Sequence, residues 1–249
     1  MQPIYDYLSS VKDKRILVSG GTTGIGRAIA LMLHDMGAKV LIVGRNQPQI
    51  DETLEEMDRS SSEAACYGVQ ADLSGKEGIQ TTLQAVDEQL GGLDILVNNA
   101  ALGYGSVMEG TYEDWQYLLN TNLLAYLALS NGAITRMKDG GHIVNIGSMS
   151  ADVREANSSV YVATKSGIQG FSEALRKEVN PKGIKVSLIE PGAVDTDMQE
   201  QPDEEKKEQI KNEEMLEAND IAMAVVFCLC QPHRADIVNV KVRPHLQII

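Results

Sequence analysis

A glycine-rich turn between a strand-like run and a helical pattern constrains the fold of this chain more than any other feature. Residues 15–19 read Arg-Ile-Leu-Val-Ser, a short buried strand, and the segment Gly20-Gly-Thr-Thr-Gly-Ile-Gly26 follows it. A helical apolar pattern then runs through Ile29, Leu33 and Met36. Glycines here allow a tight turn and a close approach to a pyrophosphate, while the helix N-terminus offers N–H groups. The order of strand, turn and helix therefore favours nucleotide binding over a loop that only turns the chain.

The same alternation of elements continues along the chain and predicts the fold class. No linker-like block, internal repeat or low-complexity segment divides the 249 residues. We expect one α/β domain over residues 1–249, of the Rossmann type, with a doubly wound parallel sheet covered by helices on both faces. Seven strands are predicted, at Ile16–Val18, Val40–Val43, Ala65–Val69, Leu93–Asn98, Ile143–Ile146, Val186–Ile189 and Ile237–Val242.

The end of the second predicted strand bears on the choice of nucleotide. Lys39-Val-Leu-Ile-Val43 is followed by Gly44 and Arg45, and no Asp or Glu occurs before Asp51. NAD sites usually carry an acidic residue here for the ribose 2′-OH, whereas a nearby arginine accommodates a 2′-phosphate. The pattern therefore predicts NADP(H) in preference to NAD(H), with a solvated loop arginine as the alternative.

A tyrosine and a lysine share one face of a predicted helix. Tyr161 and Lys165 are four residues apart, and Ser148 follows the strand-like run His142–Ile146. A phenol titrates near ~10, and a neighbouring ammonium group can lower that pKa by about 1–3. With a serine hydroxyl to hold a substrate oxygen, these groups could move a proton to or from a carbonyl or an alcohol. Taken alone, such a pair is more often a surface contact on a helix.

In this order, the motifs resemble the short-chain dehydrogenase/reductase family from Arg15 to about Val242. The ordered set also includes Asp72-Leu73 after the third strand, Asn98-Asn-Ala-Ala101, Asn122 in a helix, and Pro191-Gly192 with Thr196. The resemblance implies contacts to a dinucleotide from the glycine turn, the strand ends and the segment over the nicotinamide. The implied cofactor-binding residues are Gly20, Thr22, Thr23, Gly24, Ile25, Gly26, Arg45, Asp72, Leu73, Asn98, Ala100, Tyr161, Lys165, Pro191, Gly192, Val194 and Thr196.

The resemblance also implies a catalytic tetrad of Asn122, Ser148, Tyr161 and Lys165. In the family pattern Tyr161 is the acid or base on the substrate oxygen, and Ser148 orients that oxygen. Lys165 binds the nicotinamide ribose and lowers the pKa of the tyrosine, and Asn122 holds a water of the proton relay. The implied enzyme is an NADP(H)-dependent oxidoreductase that interconverts a ketone and a secondary alcohol.

Two other functions remain open from the sequence. The first is a 3-oxoacyl-acyl carrier protein reductase, which needs a basic patch for an acidic carrier, and Arg136, Lys138, Arg176 and Lys177 are candidates for it. The second is a dinucleotide-binding regulator without catalysis, which has no need of the Tyr161–Lys165 pair. The C-terminal segment Arg243-Pro-His-Leu-Gln247 replaces the family's usual Asp-Gly-Gly and is similar to the branch acting on small hydroxy acids and ketones.

Charge and composition exclude several classes of partner. The net charge of -13 argues against nucleic acid and against anionic membranes. No run approaches the ~20 apolar residues of a membrane span, and the first residues lack a signal-peptide pattern. Cys66, Cys228 and Cys230 suit buried thiols in a reducing cytoplasm, and the histidines are too scattered to form a metal site.

The remaining expectations concern the substrate pocket and assembly. We expect the pocket to be formed by Leu102–Glu109, Asp152–Ser158 and a mobile, charged lid at about residues 195–217. We also expect self-association as a dimer or tetramer, because the helix bearing Tyr161 carries Val162, Ile168, Phe171 and Leu175, more apolar surface than one sheet face needs.

Overall fold

The sheet of this protein has seven parallel strands, as the alternation of elements predicted. The computed structural model describes residues 9–103, 105–138, 140–198 and 201–247. The strand order across the sheet is β3-β2-β1-β4-β5-β6-β7. The strands are β1 Arg15–Ser19, β2 Lys39–Gly44, β3 Cys66–Gln70, β4 Ile95–Asn98, β5 Gly141–Ile146, β6 Ile184–Pro191 and β7 Asn239–Val242. The predicted doubly wound α/β fold is therefore confirmed.

Helices connect the strands and cover both faces of the sheet. They are α1 Gly24–Asp35, α2 Gln47–Asp58, α3 Lys76–Ala85, α4 Tyr112–Leu119, α5 Ala125–Ile134, α6 Ser150–Val153, α7 Ser159–Val179, α8 Asp203–Lys211 and α9 Ala218–Leu229. Wider π turns extend α3 over Val86–Leu90 and join α4 to α5 over Asn120–Leu124. Among the described residues, none of these helices has both the length and the hydropathy needed to cross a bilayer.

Local sequence sets where several helices begin. Asn46 accepts a hydrogen bond from the backbone N–H of Gln49 and caps α2, which also carries a proline in its first turn. Thr111 and Asp114 form a reciprocal capping box at the start of α4. These contacts satisfy N–H groups that have no partner inside the helix.

Side chains of the strands alternate between two apolar layers because successive residues of a strand point to opposite faces. Ile16 and Val18 of β1 pack with α1 and α9, whereas Leu17 packs with α5 and α7 on the other face. Both layers are continuous, so the five central strands are buried on both sides, whereas the edge strands β3 and β7 are partly exposed. The packing holds the carboxyl ends of the central strands at fixed relative positions.

The apolar residues of α7 belong mostly to the core of the chain itself. Ile168 is 0% exposed and Leu175 is 6% exposed, and Phe171 packs against the same cores. The expectation of surplus apolar surface on α7 is therefore wrong for these residues, because the helix lies flat on the sheet. Exposed apolar side chains lie instead on the segment from α4 to α5 and on α9: Tyr112, Tyr117, Leu119, Leu124, Leu127, Met223 and Phe227.

The position of β1 decides where a ligand can bind. β1 pairs with β2 on one side and with β4 on the other, so the direction of chain progression reverses between them. In open α/β sheets a crevice forms outside the carboxyl ends of the strands at such a switch point.

Candidate active site

A long cleft opens at this switch point. It consists of two adjoining cavities of about 1310 Å³ and 820 Å³, which share Thr23, Ile25, Asn99, Leu102 and Thr196 in their walls. Loops that follow the carboxyl ends of the strands supply most of its lining. The cleft is long enough to be described from its two ends, one near Arg45 and one near Tyr161.

The glycine turn brings the N-terminus of α1 to the wall of the cleft. Thr23, Gly24 and Ile25 line it, and the side chain of Thr23 makes no capping hydrogen bond within this described segment. The first N–H groups of α1 are thus available to an anion, which the helix dipole also favours. Gly26 does not line the cleft. It packs against the glycine turn, where a Cβ would lie 2.0 Å from the carbonyl oxygen of Gly20. Its absent side chain lets α1 pack close to the turn.

Ser19 and Asn99 brace the glycine turn from below. Ser19 Oγ accepts hydrogen bonds from the N–H groups of Asn99 at 3.0 Å and Ala100 at 3.1 Å. Asn99 Nδ2 donates to the carbonyl oxygens of Ser19 and Gly20. Asn98, and not Asn99, was among the cofactor-binding residues that the sequence implied, although it is Asn99 that lines both cavities.

Asn98 has a different place from the one expected. Its side chain is fully buried and donates to Ser130 Oγ at 3.1 Å and Asn145 Oδ1 at 2.9 Å, so it joins β4 to β5 and α5. It is absent from the walls of both cavities, because the strand alternation turns it into the protein and leaves Asn99 at the surface.

Arg45 and Asp72 meet at the other end of the cleft through a residue that the sequence did not indicate. Arg45 Nη1 donates to the hydroxyl of Tyr117 at 2.7 Å, and that hydroxyl donates to Asp72 Oδ2 at 2.9 Å. Burial raises the pKa of Asp72, but hydrogen bonds from Ser74 and Tyr117 and the charge of Arg45 leave it below its ordinary value. Tyr117 is on α4, far from both partners in sequence, so only the fold brings the three together.

Gly44 explains why no acidic residue stands at the end of β2. A Cβ on Gly44 would lie 2.5 Å from Thr22 Cγ2, so the side chain of Thr22 occupies the space that a longer residue would need. Asp72 and Leu73 line this end of the cleft together with Gly20, Thr22 and Ala100.

Tyr161, Ser148 and Lys165 converge at the opposite end. All three line the larger cavity, and the side chain of Ser148 is close enough to Tyr161 to lower the pKa of its hydroxyl. Ser148 follows β5 and its Oγ accepts from the N–H of Ser150 at 3.1 Å. Lys165 is 2% exposed, its Nζ donates to the carbonyl oxygen of Ile146 at 3.1 Å, and it lies 5.6 Å from the centre of the Tyr161 ring. The predicted helix-face pair thus lies beside the end of β5, with Lys165 buried and Tyr161 half-buried.

The protonation equilibria of this pair differ from the sequence expectation. Burial raises the pKa of Tyr161; the bond with Ser148 lowers it, and the carboxylate of Glu155 raises it further. Burial also lowers the pKa of Lys165 to about 8. The net shift of the phenol pKa is therefore opposite to the expected one, because burial dominates it and Lys165 is not among the groups that shift it.

Asn122 lies behind the cleft in the π turn between α4 and α5. Its Oδ1 accepts from the N–H of Leu102 and its Nδ2 donates to the carbonyl oxygen of Leu102, both at 2.8 Å. Nδ2 also lies 3.4 Å from Thr164 Oγ1 on α7. Asn122 is fully buried and does not line either cavity, so it holds the Leu102 loop against the helix that bears Tyr161.

The segment after β6 closes one wall. Pro191, Gly192, Val194 and Thr196 all line the larger cavity. Pro191 O accepts from the N–H of Met149, and a Cβ on Gly24 would lie 3.1 Å from Thr196 Cγ2. This segment therefore joins the two ends of the cleft. Tyr104, within one predicted pocket loop, lies outside the described residues, as do Gln199 and Glu200 of the lid.

These residues fit a dinucleotide. The cleft offers an open helix N-terminus, an exposed cation at Arg45, no carboxylate at Gly44 and a buried ammonium beside a phenol. A pyrophosphate suits the open helix N-terminus, because the N–H groups there bind anions. A phosphorylated ribose suits the end of the cleft that has Arg45 and no carboxylate at Gly44.

Comparisons with known proteins agree with this geometry. A family model described as short chain dehydrogenase matches residues 14–207. An uncharacterized oxidoreductase of Staphylococcus epidermidis is 34% identical over 242 residues, which cover 95% of this chain and 100% of the relative.

Two solved structures extend the likeness to the fold. A short chain dehydrogenase from Burkholderia cenocepacia in complex with NADP has a TM-score of 0.84 and 29% identity, covering 94% of this chain and 98% of the other. L-Sorbose reductase from Gluconobacter frateurii, complexed with NADPH and L-sorbose, has a TM-score of 0.83 and 25% identity, covering 94% and 96%. Since the family model spans most of the chain, this protein belongs to the short-chain dehydrogenase/reductase family and is one of its oxidoreductases.

Proposed function

We propose that this enzyme interconverts a ketone and a secondary alcohol with NADP(H), using Tyr161 as the acid or base. The observation that carries the proposal is the convergence of Tyr161 and Ser148, beside buried Lys165, in the cleft that begins at the N-terminus of α1. When bound, the nicotinamide group supplies or accepts the hydride.

The protein's part in the reaction follows from these contacts. In reduction, Tyr161 Oη donates a proton to the carbonyl oxygen as that atom gains negative charge. Ser148 Oγ donates a hydrogen bond to the same oxygen and fixes its position. Lys165 holds the ribose and returns a proton toward Tyr161, and Asn122 keeps Leu102 and α7 in register. Oxidation of the alcohol runs the same proton movements backwards.

The preference for NADP(H) rests on the Arg45 end of the cleft. Arg45 is a cation at the position where a 2′-phosphate is expected, and Thr22 leaves no room for a competing acid at Gly44. The NADP-bound relative from Burkholderia cenocepacia supports this choice. Asp72, Leu73 and Ala100 would contact the adenosine half, and Pro191–Thr196 would cover the nicotinamide.

The acyl carrier protein alternative is less well supported. Of the four cations proposed for a carrier patch, Arg136 pairs with Asp87 at 2.6 Å. Arg176 and Lys177 both pair with Glu173, at 3.2 Å and 2.8 Å. Three of the four cations are thus already engaged with carboxylates, two of them with the same one, which reduces their attraction for an acidic partner. The regulator without catalysis is disfavoured by the intact grouping of Tyr161, Ser148 and Lys165.

Three further features belong to the proposal. We infer a single catalytic domain whose residues 195–217 form a substrate lid. We infer assembly of this enzyme as a dimer or tetramer, through the exposed apolar residues of α4 and α5. The free thiols Cys66, Cys228 and Cys230 are in keeping with a reducing cytoplasm.

The test is a substrate panel with both nicotinamides. The purified chain is given small ketones, and 3-oxoacyl thioesters of a carrier protein, with NADPH or NADH, and loss of the reduced-nicotinamide absorbance is followed. We expect turnover of small ketones with NADPH preferred, and a loss of about 10²–10⁴-fold with Tyr161→Phe. Turnover confined to the thioesters would favour the carrier-protein reductase, and binding of NADPH without turnover of any carbonyl would favour the regulator.

A further inference from the structure

The substrate end of the cleft is polar and carries a carboxylate. Around Tyr161 the larger cavity is lined by hydroxyl, amide and carboxylate side chains, namely Ser148, Ser150, Glu155, Ser158, Gln201 and Gln247. The described lining contains two cations, Arg45 and Lys165. Arg45 is held at the far end by Tyr117, and Lys165 Nζ faces the carbonyl oxygen of Ile146. Since the proposed reaction assigns Lys165 to the ribose, the described lining offers no further cation to a substrate carboxylate.

Glu155 is an exposed carboxylate in the lining of the cavity around Tyr161. Its Oε1 accepts from Ser150 Oγ at 3.4 Å, and its charge acts on the Tyr161 phenol. The adjacent Arg154 does not neutralise it: Arg154 Nε donates to the carbonyl oxygen of Ala151 at 3.2 Å, and its charge acts on Asp152. Glu155 thus presents an uncompensated acceptor to a molecule bound beside Tyr161.

A second acceptor in the same cavity lacks a donor. Gln201 Oε1 is buried and has no hydrogen-bond partner among the described residues, although Gln201 lines the cavity. By contrast, Gln247 Oε1 accepts from the N–H of Ala193 at 3.2 Å. Buried acceptors are normally paired, so Gln201 is matched by a ligand that brings an N–H or O–H group.

We propose that the substrate is a ketone or secondary alcohol that carries further hydrogen-bond donors, hydroxyl or ammonium, and that Glu155 selects against carboxylates. This inference rests on the proposed reaction at Tyr161. A donor on the substrate would bond to Glu155 and Gln201, whereas a carboxylate would face a like charge with no cation to offset it. A small hydroxy acid, suggested by the C-terminal segment of the sequence, is thereby disfavoured.

The test compares three four-carbon methyl ketones that differ in one group: 4-hydroxybutan-2-one, 4-aminobutan-2-one and acetoacetate. With NADPH, we expect kcat/KM for the hydroxyl or the ammonium compound to exceed that for acetoacetate by about tenfold or more. Whether the hydroxyl or the ammonium compound is better identifies the donor. Glu155→Gln should raise kcat/KM for acetoacetate and lower it for the ammonium compound.

The matched control is Glu63→Gln, which removes one exposed carboxylate between α2 and β3, outside the lining of both cavities and outside the lid, and should leave the order unchanged. Wild-type preference for acetoacetate, or an equal effect of Glu155→Gln on all three ketones, would overturn the inference.

A binding measurement separates this inference from the proposed reaction. The three ketones are titrated by calorimetry into the NADPH complex of Tyr161→Phe, which lacks the proton donor. Tighter binding of the hydroxyl or ammonium compound supports the substrate class even if wild-type enzyme reduces none of them, in which case the proposed reaction fails. Equal binding of all three, tighter binding of acetoacetate, or no binding at millimolar concentration refutes the class, whatever the turnover.

Discussion

Lys165 is buried and Tyr161 is half-buried, and removal from water moves their pKa values in opposite directions. The pKa of the phenol is raised and that of the ammonium falls to about 8. At neutral pH the phenol is therefore protonated and ready to donate, which suits carbonyl reduction. The same burial means that the reverse reaction must generate a phenolate against a desolvation penalty.

The pH dependence of the two directions should consequently differ. We expect kcat/KM for ketone reduction to be flat around neutral pH and to fall at alkaline pH, first as Lys165, with its pKa of about 8, loses its charge and then as the phenol loses its proton. Alcohol oxidation should rise over the same range, because it needs the phenolate.

Tyr161→Phe should lower turnover by about 10²–10⁴-fold and retain NADPH binding. Parallel pH profiles in the two directions, or undiminished turnover in the variant, would show that another group transfers the proton.

Tyr117 gives a second prediction at the scale of single residues. Its hydroxyl accepts a hydrogen bond from the Arg45 guanidinium and donates one to Asp72. It therefore holds Arg45 in position for a 2′-phosphate. We expect Tyr117→Phe to weaken NADPH binding by about threefold to tenfold and to leave NADH binding nearly unchanged, because a hydrogen bond to a charged group is lost at a partly exposed site.

A double-mutant cycle isolates the effect of Tyr117. Arg45→Gln should weaken NADPH binding more, and Tyr117→Phe should then add little in that background. Equal loss of NADPH and NADH affinity in Tyr117→Phe would mean that the tyrosine supports the site only by packing.

At this scale, what the sequence could reveal was decided by distance along the chain. Tyr161 and Lys165 lie on one helix turn, so their spacing predicted their contact. Tyr117 is 72 residues from Arg45 and 45 from Asp72, and its contacts depend on how α4 crosses the cleft. Asn98 and Asn99 differ by one position, and only the strand register decides which of them reaches the cleft.

Among the elements, α8 departs most from its expected behaviour. The sequence suggested a charged lid with almost nothing to dock, yet Lys206 is buried and its Nζ donates to the carbonyl oxygen of Thr196 at 3.1 Å. The same ammonium lies 3.3 Å from Asp195 Oδ1, and Met215 beyond α8 is also buried. A charge pattern cannot show which one of several lysines turns inward, so the sequence could not reveal this contact.

We therefore predict that Lys206 sets the opening of α8. Lys206→Met should speed the hydrogen exchange of Asp203–Lys211 by about tenfold or more, because the loss of these contacts lowers the free energy of local opening. Lys207→Met, which alters an exposed neighbour on the same helix, should leave the exchange unchanged. Equal exchange in both variants would leave the lid anchored by Met215 alone.

The strands were easier to predict than the helix joints. Long runs of Val, Ile and Leu between turns define the strands of a doubly buried sheet, and their predicted ends differ from the observed ones by a few residues. The π turn at Asn120–Leu124 leaves no such signal, because one additional residue in a helix hardly changes an apolar pattern.

On the scale of the whole molecule, exposed apolar side chains predict assembly. Leu124 is 54% exposed and Leu127 is 38% exposed, next to each other along α4 and α5. We expect light scattering at micromolar concentration to give two or four times the chain mass of 27.1 kDa. Replacing both leucines by lysine should reduce that mass, whereas Glu77→Lys on α3 should not. A monomeric wild type would contradict the prediction.

Acid stability is a property of the entire fold that one buried histidine should affect. Burial, with the charge of Lys185, lowers the pKa of His142 to about 3 from 6.5 in the unfolded chain. Between those values the unfolded state binds the proton and the folded state does not, so the free energy of unfolding falls as the pH falls below 6.5.

Chemical denaturation between pH 6.5 and 5 tests this, because few carboxylates titrate there. In the wild type, His142 Nε2 lies 2.8 Å from Ser187 Oγ. His142→Gln can retain this contact. Its unfolding free energy should depend less steeply on pH than that of the wild type. Identical slopes would assign the acid sensitivity to other groups.

The π turn that carries Asn122 has a consequence for how this protein can evolve. A π turn is one residue inserted into a helix, so the deletion of a single residue there would rotate all of α5 by about 100° relative to α4. Leu129 and Ala133, which face the sheet, would then point elsewhere, and Asn122 would no longer reach Leu102. We therefore expect the segment from Tyr112 to Ile134 to tolerate substitutions but not deletions, because both the active site and the core depend on its length.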